Sequence, residues 1–249
     1  MWLRNIQNNF REQTSGTYTL NFLWRKENIF VMDNHLAAAW CWKQCCVAEG
    51  HYNFLHIDRH RDFLCNLPLD KYLPLRENEH LTIDDYCNLQ DSNFPVFQWD
   101  NYIKPTQLLY PHWFTYNIFV TQEGIVDTMI SVIVPQMFIQ YVDDINDLFY
   151  TLRVTLSNSD KIGSFFPNKW IVNIDLDFFF DSNYNRLYDD TFIQGVAQRI
   201  NAQLTNIQTL TISLSPECCG GWDDAIEILD IFAKELTPLR GYVFPNSYQ

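Results

Sequence analysis

The stretch Asn53-Phe54-Leu55-His56-Ile57-Asp58-Arg59-His60-Arg61-Asp62 decides how this chain is read. Asn53 to Ile57 is a short, largely apolar run that predicts a strand, and the strand stops at Asp58. In extended backbone alternate side chains share a face, so Asp58, His60 and Asp62 converge just past the strand's carboxyl end. Ligands bind at that edge in open α/β sheets. Two carboxylates and an imidazole on one face repel one another or compete for protons unless a cation sits among them. Asp-x-His-x-Asp arises by chance in on the order of one chain in a hundred of this length. The plainer reading is a polar loop in which Arg59 and Arg61 pair with the aspartates.

On the amino-terminal side, Tyr18 to Trp24 reads as a strand, Arg25 to Asn28 as a polar turn, and Ile29 to Met32 as a second strand. Asp33 or Asn34 can cap a helix expected from about His35 to Ala48, which Ala37-Ala38-Ala39 favours and Gly50 ends. Strand, helix, strand is the repeating unit of an α/β sheet. Downstream, Lys169 to Ile174 is an apolar strand ending at Asp175. Tyr188 to Asn206 has a helical pattern, Thr209 to Leu214 reads as a strand, and Trp222 to Leu236 as a helix. Residues 1–17 are polar and irregular. Leu64 to Tyr110 reads as long loops with a short helix near Ile83–Leu89. Segment 111–142 is ambiguous, with strands expected near Ile130–Val134 and Met137–Val142, then a helix from Asp143 to about Leu152. Neither a flexible linker nor an internal repeat interrupts the chain, so residues 1–249 are expected to form one domain.

Composition narrows the function classes. Apolar residues make up 47% and charged residues 19% of 249, a globular mixture rather than a disordered one. With 17 Lys and Arg against 30 Asp and Glu, the net charge is −13, which disfavours nucleic acid and anionic lipid and attracts cations. No apolar run reaches the roughly 18 residues of a membrane span. Met1-Trp2-Leu3-Arg4-Asn5 lacks the apolar core of a secretory signal. The seven cysteines include vicinal pairs at Cys45-Cys46 and Cys218-Cys219 and no C-x-x-C. Reduced thiols, a cytoplasmic location and no structural zinc site are therefore expected.

Two further signals sit at strand ends. Asp175-Leu176-Asp177 follows an apolar strand and delivers two same-facing carboxylates to the same edge. Asp-x-Asp alone is weak, and its bland reading is a turn or helix cap. His35 follows the Ile29–Met32 run, where a lone histidine is usually a surface or capping residue. Together His35, Asp58, His60, Asp62, Asp175 and Asp177 give two imidazoles and four carboxylates, the inventory that two divalent ions with bridging carboxylates need. A nitrogen and oxygen set without thiolate suits Mn²⁺ best, with Fe²⁺, Co²⁺ or Zn²⁺ also possible. Two such ions about 3.5–4 Å apart can hold a hydroxide as a nucleophile at neutral pH.

These ordered pieces resemble the arginase/agmatinase (ureohydrolase) family: a histidine after an early strand, then Asp-x-His-x-Asp, then Asp-x-Asp. The resemblance spans about residues 28–62 and 170–236. It implies a three-layer αβα sandwich with a mainly parallel sheet, as in arginases and deacetylases, forming a single catalytic domain. It also implies two Mn²⁺ ions. One would be held by His35, Asp58, Asp62 and Asp175, the other by Asp58, His60, Asp175 and Asp177. Ser215-Pro216-Glu217-Cys218-Cys219-Gly220-Gly221 places Glu217 where arginases carry the glutamate that grips the substrate guanidinium, a charge-assisted pair. The alternative role for Glu217 is a helix-start carboxylate.

The chain departs from free-arginine arginases in three places. Met32-Asp33-Asn34-His35 stands for Gly-Gly-Asp-His, Asp181 comes one residue late for Asp-x-Asp-x-x-Asp, and the Ser/Asn-rich loop for the α-amino and α-carboxylate groups is absent after Asp62. The wording is closer to a divergent arginase-like family whose bacterial members include the peptide arginases of ribosomal-peptide (proteusin) biosynthesis. That implies an arginine-containing precursor peptide as partner and conversion of arginine to ornithine plus urea. A metal-bridging hydroxide would attack the guanidinium carbon, and Asp62 would orient it. His80, in the loop after the metal motif, is where arginases place a proton shuttle. His51, His56 and His112 are alternatives, with His56, opposite Ile57 on its strand, reading as a core residue. The competing functions are hydrolysis of a small guanidino compound such as arginine or agmatine, a single-metal deacetylase-like hydrolase, and a metal-stabilised binding protein without catalysis.

Overall fold

A computed structural model describes residues 1–122, 168–242 and 244. The strands expected near Ile130–Val134 and Met137–Val142, and the helix expected from Asp143, lie outside the described residues.

The described residues form a mixed α/β fold around a seven-stranded sheet. Its strands are β1 (Trp2–Arg4), β2 (Leu23–Lys26), β3 (Ile29–Met32), β4 (Asn53–Asp58), β7 (Asn117–Thr121), β8 (Trp170–Asp175) and β9 (Ile207–Ser213). Two-residue strands β5 (Gln90–Asp91) and β6 (Phe94–Pro95) make a separate small ladder. The order is β1-β2-β3-β9-β8-β4-β7; β3, β9, β8, β4 and β7 run parallel, and β1 and β2 add an antiparallel edge. The carboxyl ends of five parallel strands therefore share one edge. The helices are α1 (Ala38–Lys43), α2 (Leu73–Glu77), α3 (Ile83–Cys87), α4 (Ile103–Leu109), α5 (Asp190–Asn201), α6 (Pro216–Cys219) and α7 (Trp222–Glu235).

Strand alternation divides the apolar side chains between two clusters. Val31, Leu55, Ile57, Val172, Ile174 and Ile212 pack with α5 and α7 residues such as Val196, Ile200, Ile228 and Phe232. Phe30, Met32, Phe54, Phe119 and Ile171 pack with Trp42, Leu75, Ile83 and Ile103 from α1 to α4. β4 and β8 are buried along their whole length, which explains their near-continuous apolar runs. Among the described residues, no helix is long and apolar enough to cross a membrane.

Three local expectations are corrected. The strand expected over Tyr18–Trp24 begins only at Leu23, because the Asn21 and Phe22 N–H groups donate to the buried Asp33 carboxylate instead of a ladder (2.9 and 3.0 Å). The helix expected from His35 to Ala48 is a 3₁₀ turn over His35–Ala37 followed by α1, which ends at Lys43; the Tyr52 hydroxyl then accepts the Val47 N–H at 3.1 Å and holds the chain in a turn. The region read as loops over Leu64–Tyr110 also carries α2 and α4.

Candidate metal centre

β4 and β8 are neighbours in parallel register, Ile57 beside Ile174, and each ends on an aspartate. Asp58 and Asp175 thus arrive side by side, both buried. Asp177 follows in a 3₁₀ turn that Asp175 caps, the Asp175 carboxylate accepting the Asp177 N–H at 3.1 Å. From β3, Asn34 caps the next turn by accepting the Leu36 N–H at 2.9 Å, and this turn buries His35 against the same edge.

The side chains converge closely. His35 Nε2 lies 2.6 Å from Asp175 Oδ2 and 3.3 Å from Asp58 Oδ2. His60 Nδ1 lies 3.0 Å from Asp177 Oδ2 and 3.5 Å from Asp58 Oδ1. His56 Nε2 lies 3.4 Å from Asp58 Oδ2. Three overlapping groups have donor atoms within 4.8 Å of one another: His35, Asp58 and Asp175; His56, Asp58 and Asp62; and Asp58, His60 and Asp177. Asp58 belongs to all three.

Burial and mutual repulsion set the electrostatics. Asp58 is pushed well above the usual carboxylate range, first by burial and then by the charges of Asp62, Asp177 and Asp175. Burial likewise lifts Asp62 and Asp177. Asp175 goes the other way: burial opposes its charge, but His35 and the Ser215 hydroxyl, at 2.6 Å, hold it low. Burial drives His56 down to about 3, so its ring is neutral. Asp58 Oδ2 and His56 Nε2 are buried without a hydrogen bond, and Asp177 Oδ2 has only the His60 ring, at 3.0 Å. Buried polar atoms rarely stay unpaired, and a cation among these carboxylates would satisfy them. The donor set is imidazole and carboxylate only, which fits Mn²⁺ or a similar divalent ion.

The same charges give a first prediction. Without an ion the cluster holds protons, His60 being pushed up to about 9 by its hydrogen bond to Asp177. An ion must displace them, so Mn²⁺ affinity is expected to rise with pH between about 6 and 9 and binding to release protons. Calorimetric titrations in buffers of different ionisation heat measure that release, and a pH-independent affinity would contradict it.

Glu217 lies in α6, which begins immediately after Ser215. Ser215 sits in the left-handed region (φ 43°), Gly220 follows α6 at φ 94°, and Asp62 has φ 47°. Such backbone is costly for non-glycine residues and marks places where the fold forces a side chain into position. The sharp turn brings the Ser215 hydroxyl onto Asp175 and sets Glu217 two residues beyond it. Glu217 Oε1 accepts the Ser15 N–H, whereas Oε2 is buried with no partner among the described residues. Burial raises the Glu217 carboxyl. Ser15 is held by the residues before His35: its hydroxyl donates to Asp33 Oδ2 at 2.9 Å, and Asn34 donates to Ser15 Oγ at 3.1 Å.

The structure brings together all six residues expected as ligands, His35, Asp58, His60, Asp62, Asp175 and Asp177, and Glu217 follows Ser215, whose hydroxyl reaches Asp175. It does not bring His80. That side chain is exposed, its N–H donates to Asn78 Oδ1, and Asn78 O takes Lys43 at the far end of α1. Among the described residues no hydrogen bond, ion pair or ring contact joins His80 to the cluster. Asp181 is a loop organiser, accepting the Asn183 and Asn185 N–H groups at 2.8 Å. His56, read as a core residue, is fully buried and stacked on Phe54, and it also lies under Asp58 on the cluster's side of β4. Asn173 and Tyr102 went unrecognised: Asn173 Nδ2 lies 3.0 Å from Tyr102 Oη, and the Tyr102 hydroxyl donates to Asp62 Oδ2 at 3.1 Å.

Neither a family model nor a curated protein matches this chain.

Proposed function

We propose that the chain is an arginase-like dimetal hydrolase with a three-layer αβα fold, converting peptidyl arginine in a precursor peptide to ornithine and urea. The observation that carries this is the convergence of two histidines and four aspartates on one sheet edge, with a glutamate that has one unpartnered oxygen two residues after the Ser215 that bonds Asp175. His35, Asp58, Asp62 and Asp175 would hold one Mn²⁺, and Asp58, His60, Asp175 and Asp177 the other. Bound there, the ions would supply Lewis acidity and bring the pKa of a water near neutrality.

The protein groups do the rest. The Ser15 N–H holds Glu217 Oε1 and leaves Oε2 to take guanidinium N–H groups in a charge-assisted pair. That fixes the planar guanidinium against the cluster and presents its carbon for attack. Asp62 Oδ2 is held by Tyr102, which leaves Oδ1 to ligate and to orient water. Addition of water and cleavage of the carbon–nitrogen bond to the side chain give ornithine and urea.

A peptide substrate is favoured over free arginine because Phe63-Leu64-Cys65 follows Asp62, where a free amino acid would need polar groups for its α-amino and α-carboxylate. Leu64 and Tyr18, on the Ser15 segment, are each 50% exposed. With the Mn²⁺-loaded protein, urea release is expected to be faster from arginine within a peptide than from free arginine or agmatine. Equal or faster release from the small compounds would replace the peptide reading with a small-substrate ureohydrolase.

A further inference from the structure

Beneath the carboxylates runs a row of buried polar side chains, one on each of three adjacent strands: His56 on β4, Asn173 on β8 and Thr211 on β9. They are paired in register, His56 with Asn173 and Asn173 with Thr211, and are 0%, 0% and 1% exposed. Such a row in an otherwise apolar sheet is costly unless each member is satisfied.

Asn173 is the hub. Its Oδ1 accepts the Thr211 hydroxyl at 2.6 Å, and Thr211 Oγ1 in turn accepts the Trp42 indole N–H at 3.1 Å, so the amide is anchored from behind. Its Nδ2 faces His35 Nδ1 at 3.2 Å, His56 Nδ1 at 3.0 Å and Tyr102 Oη at 3.0 Å. Each contact leads to a different expected ligand. His35 is one itself. His56 reaches Asp58 Oδ2 at 3.4 Å, and Tyr102 donates to Asp62 Oδ2 while stacking on the His35 ring, 5.3 Å between centroids and 6° between planes.

His35, Asp58 and Asp62 are three of the four groups assigned above to the same ion. The groups exclusive to the other ion are His60 and Asp177, and His60 is tied to the bridging Asp58, its N–H donating to Asp58 Oδ1 at 2.6 Å. They contact each other, and the Arg59 N–H donates to Asp177 Oδ1 at 3.2 Å. Asn173 touches neither.

We propose that Asn173 is a positioning residue weighted to one metal position: its single anchored amide fixes His35 and Asp62, which belong to that position alone, together with the bridging Asp58, and so sets the affinity of that position more strongly than that of the other. This rests on the dimetal reading above. Groups behind metal ligands typically contribute a factor of about 10–100 in affinity. The consequence is asymmetric: loss of Asn173 leaves a protein that binds one ion tightly and one weakly.

The test uses the full chain and Mn²⁺ alone. Native protein is expected to take up two ions and, when loaded, to show the spin-coupled paramagnetic resonance signal of a manganese pair. Asn173→Ala should weaken one binding step about 10–100-fold, weaken the other distinctly less, and at limiting Mn²⁺ show the signal of isolated ions. His60→Ala should weaken the opposite step, which assigns the two. Because Asn173 is deep in the sheet, Tyr102→Phe is the second variant; it keeps the stacked ring, removes the hydroxyl, and should weaken the Asn173-dependent step about 2–10-fold. Equal weakening of both steps in whichever variants fold, or no change in either, would overturn the proposal. Native protein that binds no Mn²⁺ would instead overturn the dimetal reading on which it rests.

Discussion

Asp58→Asn is expected to abolish binding of both ions and all hydrolysis, and to make the metal-free protein more stable. Asp58 is common to every donor group in the cluster, so its loss is not confined to one position. An amide cannot supply the charge that two cations share. The stability change has the opposite sign because Asp58 is raised in the folded protein, by burial and then by its aspartate neighbours. A carboxyl whose folded pKa lies above its unfolded value opposes folding once pH exceeds the unfolded value, and this cost grows with pH until the folded value is passed. Removing the charge relieves it, while asparagine Oδ1 can still accept the His60 N–H that Asp58 Oδ1 accepts at 2.6 Å. Relief on the order of 1–2 kcal/mol is typical where a functional site has been kept at the expense of stability. Thermal unfolding with and without Mn²⁺ reads both effects. The native protein should melt higher with metal, and the variant should start higher and not respond. A variant that is less stable without metal, or still stabilised by it, would contradict the shared role of Asp58.

Glu217→Gln should retain both ions and lose about 10²–10³-fold in kcat/KM on a peptidyl arginine. Glutamine keeps an oxygen for the Ser15 N–H, so α6 and the amino-terminal segment stay in place. The other oxygen, unpartnered here, becomes an NH₂ group and meets the guanidinium donor to donor. Metal analysis alongside steady-state kinetics separates this from damage to the cluster. Full activity in Glu217→Gln would assign Glu217 to the start of α6 and leave substrate recognition to other groups.

The strand ends were legible in the sequence because burial on both faces writes an unbroken apolar run, and a run that stops at aspartate marks the sheet edge. β3, β4, β8 and β9 were all read within a few residues, and with them the six expected ligands. The row behind them was legible too, though it went unrecognised. His56-Ile57-Asp58 and Asn173-Ile174-Asp175 have the same spacing, and the period-two rule that groups Asp58 with His60 also puts His56 on Asp58's face. Tyr102 could not be found that way, since it arrives from the start of α4 after a segment without periodicity. Nor could Ser15, which meets Glu217 across 202 residues of sequence. Such contacts are products of packing, and local pattern does not record them. Asp33 shows the same limit: its position suited a helix cap, yet it folds back on Asn21, Phe22 and Ser15, and Asn34 does the capping.

The proposed reaction is hydrolysis of arginine side chains at a two-ion centre. Mass spectrometry of arginine-containing peptides, after incubation with protein shown to carry two Mn²⁺ ions, tests it most directly. The predicted result is loss of CH₂N₂ from an arginine residue, with ornithine at that position and urea in solution. Unchanged arginine in every peptide, and in free arginine and agmatine treated alike, would contradict it.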